Sequence, residues 1–471
     1  ETARRRRHPA WVVPLFLAPL APALRLGGSG GAALPPPFSG ASAATEPLLR
    51  LFDLDSEAMS ACKKTREEAT SVVSSDSISS LPPEIKGDIL SRLNVEEAVR
   101  TSTLSSTWKD AWTYMPKIIT RDGNFAQTKF VTLVDTVLSL HKGTIEKFDI
   151  SGKGSYHDEF VRWMLMLSRR SPRSVIIKLN SGPRYRIPSC LFSIAYLKCL
   201  CLENCTISLP RAFEGFKSLT YLSLKIFCST DRDIQNLILC CPILTNLILI
   251  YFEGIHCLNI QAPKLEYLKV YGDFEDIALD APNLEEATLS IDYRSNVYQS
   301  VPIALHKESL VKRALGSLSE IKSLLITGFF LKYLSKGCIP MRLPAVFRRL
   351  EYIYVMINFE DQRQVLTACS LFQIAPNLKE LKISSYRWGI PDLDDQDQAS
   401  TQELIMQMQM QTDHLVTASM YYFEGLDYEI DFVAKILKVE WRGDVERSKV
   451  VAKLLLDLPR ASPRAKVIVT F

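Results

Sequence analysis

Three thiols, Cys199-x-Cys201-x-x-x-Cys205, are the first residues in this chain whose types and spacing could do chemistry, as ligands of a metal ion. Leu200 and Leu202 alternate with them, no histidine stands near, and a structural zinc site takes four ligands, so the run does not define a metal centre. Gly152-Lys153-Gly154-Ser155 has the residue types of a phosphate-cradling loop. It lacks the upstream glycine and the Ser or Thr directly after Lys, which makes it a turn. His141, His157, His256 and His306 have no acid or nucleophile at a spacing that would define a triad, so each is expected at the surface or in a loop. His256, beside Cys257, is the one that could line a pocket. The sequence therefore predicts no catalytic residue, no cofactor site and no metal site.

The elements that would have to position any site point elsewhere. A chain of 471 residues exceeds one compact core and, at about 100–200 residues per domain, implies several domains or an elongated repeat array. Hydrophobic residues at 47% and charged residues at 23% are those of a folded protein. The net charge of +4 is spread thinly, and no Lys/Arg stripe interleaves with aromatics, so nucleic acid is not an expected partner. Eleven scattered cysteines fit reduced thiols in the cytoplasm or nucleus.

Residues 1–58 contain no Met, Lys, Asn, Ile or Cys. They can be read as a signal peptide, with Arg4 to Arg7 ahead of the apolar run Trp11 to Leu24. They can also be read as disordered or translated upstream sequence, with Met59 as initiator; Pro14, Pro19 and Pro22 weigh toward the second. A membrane span needs about 20 uninterrupted apolar residues, and no membrane association is expected.

The densest patterning lies in 76–116, after a linker at 59–75. Leu81-Pro82-Pro83-Glu84 places prolines where a first helical turn tolerates them, and Ile85, Ile89, Leu90 and Leu93 then fall on one face. Asn94 caps a second helix with Glu97 at capping-box distance, and Ala98, Val99 and Ser102 lie on its inner side. Ser105 or Ser106 begins a third, with Trp108 and Trp112 at i and i+4. Three short helices in so few residues sit near the lower limit of independent stability, so apolar surface is left for a partner.

LPPEIKGDILSRLNVEEAVRTSTLSSTWKDAWTYMP resembles the F-box, the adaptor-binding module of cullin-based ubiquitin ligases, in its plant form. The likeness lies in Leu81-Pro82, Ile89-Leu90-x-x-Leu93, Glu97-Ala98-Val99-Arg100 and Leu104-Ser105-x-x-Trp108. Thr107, where a basic residue is common, and Gly87 inside the first helix depart from it. The resemblance implies that Leu81, Pro82, Ile85, Ile89, Leu90, Leu93, Leu104 and Trp108 meet a Skp-type adaptor and, through it, a cullin.

From Gly143 an apolar-x-x-apolar-x-apolar pattern returns nine times, from Ile145/Phe148/Ile150 to Leu378/Leu381/Ile383, mostly 19 to 29 residues apart. That is the period of leucine-rich repeats, each laying one strand beside the last, and Leu197 to Ile207 fits the signature with Cys205 at its Asn/Cys position. A tetrapeptide Ala/Cys-Pro-x-Leu precedes four of the strands, at Cys241–Leu244, Ala262–Leu265, Ala281–Leu284 and Ala375–Leu378. Thr230 and Asp233 have capping-box spacing ahead of Ile234, Leu237, Ile238 and Cys241. The stretch from Phe330 is similar to the region before the FBD module of plant F-box proteins with leucine-rich repeats, and Leu437 to Val469 looks like that module.

The expected fold is α/β: an F-box at 76–116, a curved leucine-rich-repeat solenoid with a parallel sheet at 117–390, a polar insert at 391–420 and an FBD-like strand-helix-strand cap at 421–471. The expected function is target recognition for a cullin ubiquitin ligase, with no catalysis in this chain. A scaffold or ligand sensor outside ubiquitination is the alternative; one sequon, Asn204-Cys205-Thr206, argues little for an extracellular receptor.

Overall fold

Strands form where apolar side chains recur at every second position, and each strand enters the sheet through a turn written in its own residues. In all four Pro-containing tetrapeptides the Leu amide donates to the carbonyl three residues back: Leu244 to Cys241 at 3.2 Å, Leu265 to Ala262 at 3.0 Å, Leu284 to Ala281 at 3.1 Å and Leu378 to Ala375 at 3.2 Å. Each is a β-turn with proline at its second position, where a fixed φ near −65° lowers the cost of the turn.

The computed structural model describes residues 78, 80–103, 105–123, 126–291, 314–337, 346–386, 414–422, 429 and 432. The described residues open with helices α1 (Pro83–Leu90) and α2 (Val95–Arg100) and a short 3-10 turn at Ala111–Tyr114. The array then begins with β1 (Lys117–Arg121), α3 (Gln127–Leu140), β2 (Lys147–Gly152), α4 (His157–Ser168), β3 (Ser174–Leu179) and β4 (Tyr185–Arg186). Next come β5 (Cys199–Thr206), β6 (Tyr221–Cys228), α5 (Asp231–Leu239), β7 (Asn246–Glu253), β8 (Cys257–Gln261), β9 (Tyr267–Gly272), β10 (Asp276–Asp280) and β11 (Glu286–Ile291). After these follow β12 (Ser323–Gly328), α6 (Phe330–Gly337), β13 (Tyr352–Ile357), α7 (Gln362–Gln373), β14 (Glu380–Ser385) and β15 (Thr417–Tyr421).

The sheet runs β1-β2-β3-β5-β6-β7-β9-β11-β12-β13-β14-β15, with β4 added beside β5 and every pairing parallel. The middle residue of each repeat stacks on its neighbours: Ile118, Phe148, Val175, Leu200, Leu222, Leu247 and Leu268 align in turn. The line continues through Ala287, Leu324, Ile353 and Leu381 to Ala418, and all are buried. Three strands of this aligned line lie outside the nine sequence copies. β1 carries a polar Thr120 at the third position, β3 has Pro172 at the first, and β15 carries Ala418 at the middle. β15 pairs with β14, so the sheet crosses the expected insert and the boundary at 420/421: the open edge of β14 needs a hydrogen-bonded neighbour. The F-box boundary at 116/117 is likewise no break in packing, since Leu90, Val99 and Trp112 share one buried cluster with Phe130 and Phe148.

Return segments differ with the room available. In the longer repeat α5 forms, with the Thr230 hydroxyl accepting from the Asp233 amide at 3.1 Å and Ile234, Leu237 and Ile238 buried. The two short repeats that follow use β8 and β10 instead, and these pair parallel as a second, two-stranded sheet. An extended segment covers distance at about 3.3 Å per residue against 1.5 Å for a helix, so it suits a short return. Asn204, Ile226 and Tyr251 take φ of 59°, 51° and 53° near the ends of β5, β6 and β7. Each left-handed residue shifts the alternation by one while the strands keep their register, turning Cys205, Phe227 and Phe252 inward. Phe227, Phe252 and Phe274 then stack at 5.8 and 6.4 Å. No helix among the described residues is long and apolar enough to cross a membrane.

The segments expected at 1–58 and 59–75 and the FBD-like strand-helix-strand from Leu437 lie outside the described residues.

Candidate adaptor-docking surface

Helix α1 starts as its sequence dictates, with Pro82 at the N-cap and Pro83 at the first helical position, where no intrahelical N–H bond is lost. α2 starts on a complete capping box: the Glu97 amide donates to Asn94 Oδ1 at 2.8 Å and the Asn94 amide donates to Glu97 Oε2 at 3.3 Å. Its Ala98, Val99 and Ser102 side is buried as expected.

One side of α1 is left bare. Ile78, Ile85 and Ile89 are 59%, 45% and 43% exposed, with Pro82 exposed and Leu81 half-buried between them. Ile85 and Ile89 lie one turn apart on α1, and Ile78, Leu81 and Pro82 belong to the turn that leads into it. Leu90 is a correction: it is 3% exposed and packs into the core with Lys86 and Gly87, because a single residue step rotates a helical position by about 100° away from Ile89. Leu93 and Trp108 are half-buried against the core, and Leu104 lies outside the described residues. The expected third helix is also corrected. Turns and the 3-10 segment occupy 106–114, with Trp112 buried and Trp108 under the Lys86 ammonium, 5.7 Å from the ring centre. Lys86 Nζ donates to the Thr107 carbonyl at 3.1 Å, tying α1 to that turn. Ile78 was legible three residues before Leu81; Lys86 and Gly87 were not, since their roles depend on what crosses them.

Gly87 is such a crossing. A Cβ there would lie 2.5 Å from the Tyr114 carbonyl oxygen and 2.9 Å from Tyr114 Cβ. Gly87→Ala gains about 1 kcal/mol of helix propensity. The overlap with fixed backbone costs about 1–3 kcal/mol, so the substitution is expected to lower the urea midpoint. An unchanged or raised midpoint would sink the close-packing account.

The module is joined to the repeats by polar groups as well. The Thr120 hydroxyl on β1 donates to the buried Glu96 carboxylate of α2. Burial, the largest cause, holds the Glu96 carboxyl above its usual range against the pull of that hydrogen bond. The folded state thus keeps a proton at pH values where the unfolded chain has lost it, and the stability from this site declines as pH climbs from the ordinary carboxylate value through the raised one. Glu96→Gln is expected to flatten that part of the profile. Denaturation midpoints from acid to neutral pH check it, and parallel slopes would refute it.

The remaining chemical candidates resolve individually. His141 lies in the loop after α3, as expected, and is buried there between the carbonyls of Met115 at 2.8 Å and Gly143 at 3.1 Å; burial keeps its pKa below the ordinary value. His157 sits at the start of α4, stacked on Tyr185 at 4.3 Å. His256 is exposed, 3.3 Å from Glu275, and His306 lies outside the described residues. The Gly152–Ser155 turn wraps a carboxylate of this chain: Asp122 Oδ2 accepts from the Lys153 and Gly154 amides and, at 2.7 Å, from the Tyr156 hydroxyl. Cys199 and Cys201 point out of the sheet while Cys205 points in, so the three thiols do not converge. Among the described residues no group of three or more His, Cys, Asp or Glu side chains could hold a metal ion. The outer face of the sheet presents Tyr221, Ile248, Tyr267, Lys269, Tyr352 and Tyr354, all half-buried.

Two family models match this architecture, the F-box domain over residues 78–120 and the leucine-rich repeats of the FBD-associated F-box protein At5g56370 over residues 161–383. Among curated relatives, the Arabidopsis thaliana F-box/FBD/LRR-repeat protein At1g13570 is 32% identical over 416 residues, 84% of this chain and 98% of that protein. The putative F-box/FBD/LRR-repeat protein At5g44950 of the same plant is 24% identical over 350 residues, 65% of this chain and 78% of that protein. Since one relative is 32% identical along 98% of its own length and 84% of this chain, the chain belongs to the F-box/FBD/LRR-repeat proteins.

Proposed function

We propose that this protein is the substrate-recognition subunit of an SCF-type cullin ubiquitin ligase. Its F-box docks on a Skp-type adaptor and so on a cullin, and the outer face of its repeat sheet holds a target protein. The supporting observation is the bare group of Ile78, Leu81, Pro82, Ile85 and Ile89, on a module whose other side is already buried against the repeats. Exposed apolar side chains gathered on so small a module mark an interface. Catalysis belongs to other subunits: holding the target raises the effective concentration of its lysines at the site of ubiquitin transfer. The reading places its work in the cytoplasm or nucleus.

Affinity purification of the full chain from plant cells under a cullin-activation inhibitor tests it. Recovery of a Skp-type adaptor with a cullin, and of a protein that accumulates when this chain is depleted, is expected. Recovery of the adaptor with no change in the abundance of any bound protein would instead favour a scaffold acting outside ubiquitination.

A further inference from the structure

We propose that the target protein presents an aspartate or glutamate beside an apolar residue, with the carboxylate seated between Lys225 and Lys269 and the apolar side chain on β7. This rests on the reading above, in which the outer face of the sheet holds the target. Alternation builds the site. Leu224, Leu249 and Leu268 point into the core of β6, β7 and β9, so the residues beside them face out. The register places Ser223, Ile248 and Lys269 side by side in one row, and Lys225, Ile250 and Tyr271 in the next. The two lysines thus stand at opposite corners around two half-buried isoleucines. Ser223, small and 5% exposed, leaves the third corner low. Tyr271, packed edge-on against Tyr251 at 4.9 Å, raises the fourth. With strands about 4.8 Å apart and a rise of about 3.3 Å per residue, the lysine Cα atoms are about 12 Å apart. Two four-carbon stems reach across that gap from either side to one carboxylate.

The charges around the site select the occupant. Neither lysine forms an ion pair with an acid among the described residues. Glu203 on β5 aligns with Lys225 on the side away from Ile250, and Glu286 on β11 stands one row from Lys269. Burial, the largest cause, and the Lys225 charge hold the pKa of Lys269 below its ordinary value, against the smaller pull of Glu286. A half-buried ammonium that feels another cation more than the acid beside it gains from an incoming anion. Because Glu203 and Glu286 bound the pair, one carboxylate suits the site better than a dianionic phosphate. Ile248 and Ile250 lie between the lysines, so an apolar side chain next to the carboxylate falls on apolar surface, and Tyr271 supplies an aromatic wall of the kind that anchors interfaces.

Panning a displayed library of random dodecapeptides on the full-length chain tests the site. Enriched peptides should carry Asp or Glu within two residues of a large apolar side chain. The most enriched one, synthesised with a fluorescent label, should bind at least about tenfold more weakly to Lys225→Gln and to Lys269→Gln, which keep the stem and lose the charge. Lys225→Arg combined with Lys269→Arg should retain most of the affinity. Changing the peptide's acid to its amide should weaken binding to the wild-type chain and have little further effect on the Gln variants, the mark of a direct pair. Enrichment without an acid, equal affinity for the Gln variants, or tighter binding of a phosphoserine version overturns the proposal. Co-purification with a Skp-type adaptor is read on the same proteins and should be unchanged, since α1 carries it. Loss of the adaptor from the wild-type chain would sink the ligase reading and leave the peptide result standing, so the two failures are distinct.

Discussion

Replacing Ile85 and Ile89 together with Asp is expected to abolish co-purification with a Skp-type adaptor and to leave the fold intact. Both side chains are nearly half exposed, so a carboxylate at either position stays in water in the free protein. In a docked complex each would trade about 1.5–3 kcal/mol of apolar burial for a desolvated charge. Losing even one such anchor is worth about 2 kcal/mol or more, so the pair should weaken binding by at least about a hundredfold. Leu90→Asp is the comparison that separates docking from folding. Leu90 is buried among α1, α2 and the 3-10 turn, and a charge there should unfold the module. The measurements are adaptor affinity by calorimetry and melting by circular dichroism. Unimpaired affinity in the double variant, or melting as severe as in Leu90→Asp, would remove the main support for the ligase reading.

Leu222→Ala should destabilise the repeat array by about 2–5 kcal/mol. Leu222 is fully buried, and its strand is held in register with Leu200 on β5 and Leu247 on β7. Because β6 is hydrogen-bonded on both sides, the site has little freedom to collapse around the lost methyls, which places the cost toward the upper part of that range. Array stability is a sum of repeat and nearest-neighbour terms, so amides of β5 to β7 should lose hydrogen-exchange protection most. Urea denaturation gives the size of the effect and hydrogen exchange its location. Lys225→Ala, on the outer face of the same strand, should stay within about 0.5 kcal/mol. If the two variants matched, the aligned ladder would not be what holds the array together.

The residues themselves determined the periodic part of this protein. Period-two apolar spacing, proline turns and capping residues are local, so Leu222 and Leu247, the tetrapeptide at Ala262–Leu265 and the Asn94–Glu97 box could be placed before any contact was known. Local spacing likewise led to the apolar face at Ile85 and Ile89. It did not separate Ile89 from Leu90, which differ in fate because one faces solvent and the other a segment more than twenty residues away. Gly87 reads as a weak helical residue until Tyr114 is found against it, and His141 as a surface or loop residue, with nothing in its spacing to show that Met115 and Gly143 close over it.

β1, β3 and β15 escaped the repeat count because hydrogen bonds to a neighbouring edge hold a strand whose own pattern carries a Thr, a Pro or an Ala where leucine is expected. The thiols show the same division. Sequence places Cys199, Cys201 and Cys205 at the same parity of one strand, and the left-handed turn at Asn204 reverses the third. Sequence thus determined which segments alternate and where they turn, since those depend on neighbours along the chain. Tertiary structure decided which apolar faces are covered, which glycine is compulsory and which thiol turns inward, because each depends on an atom brought from a distant segment.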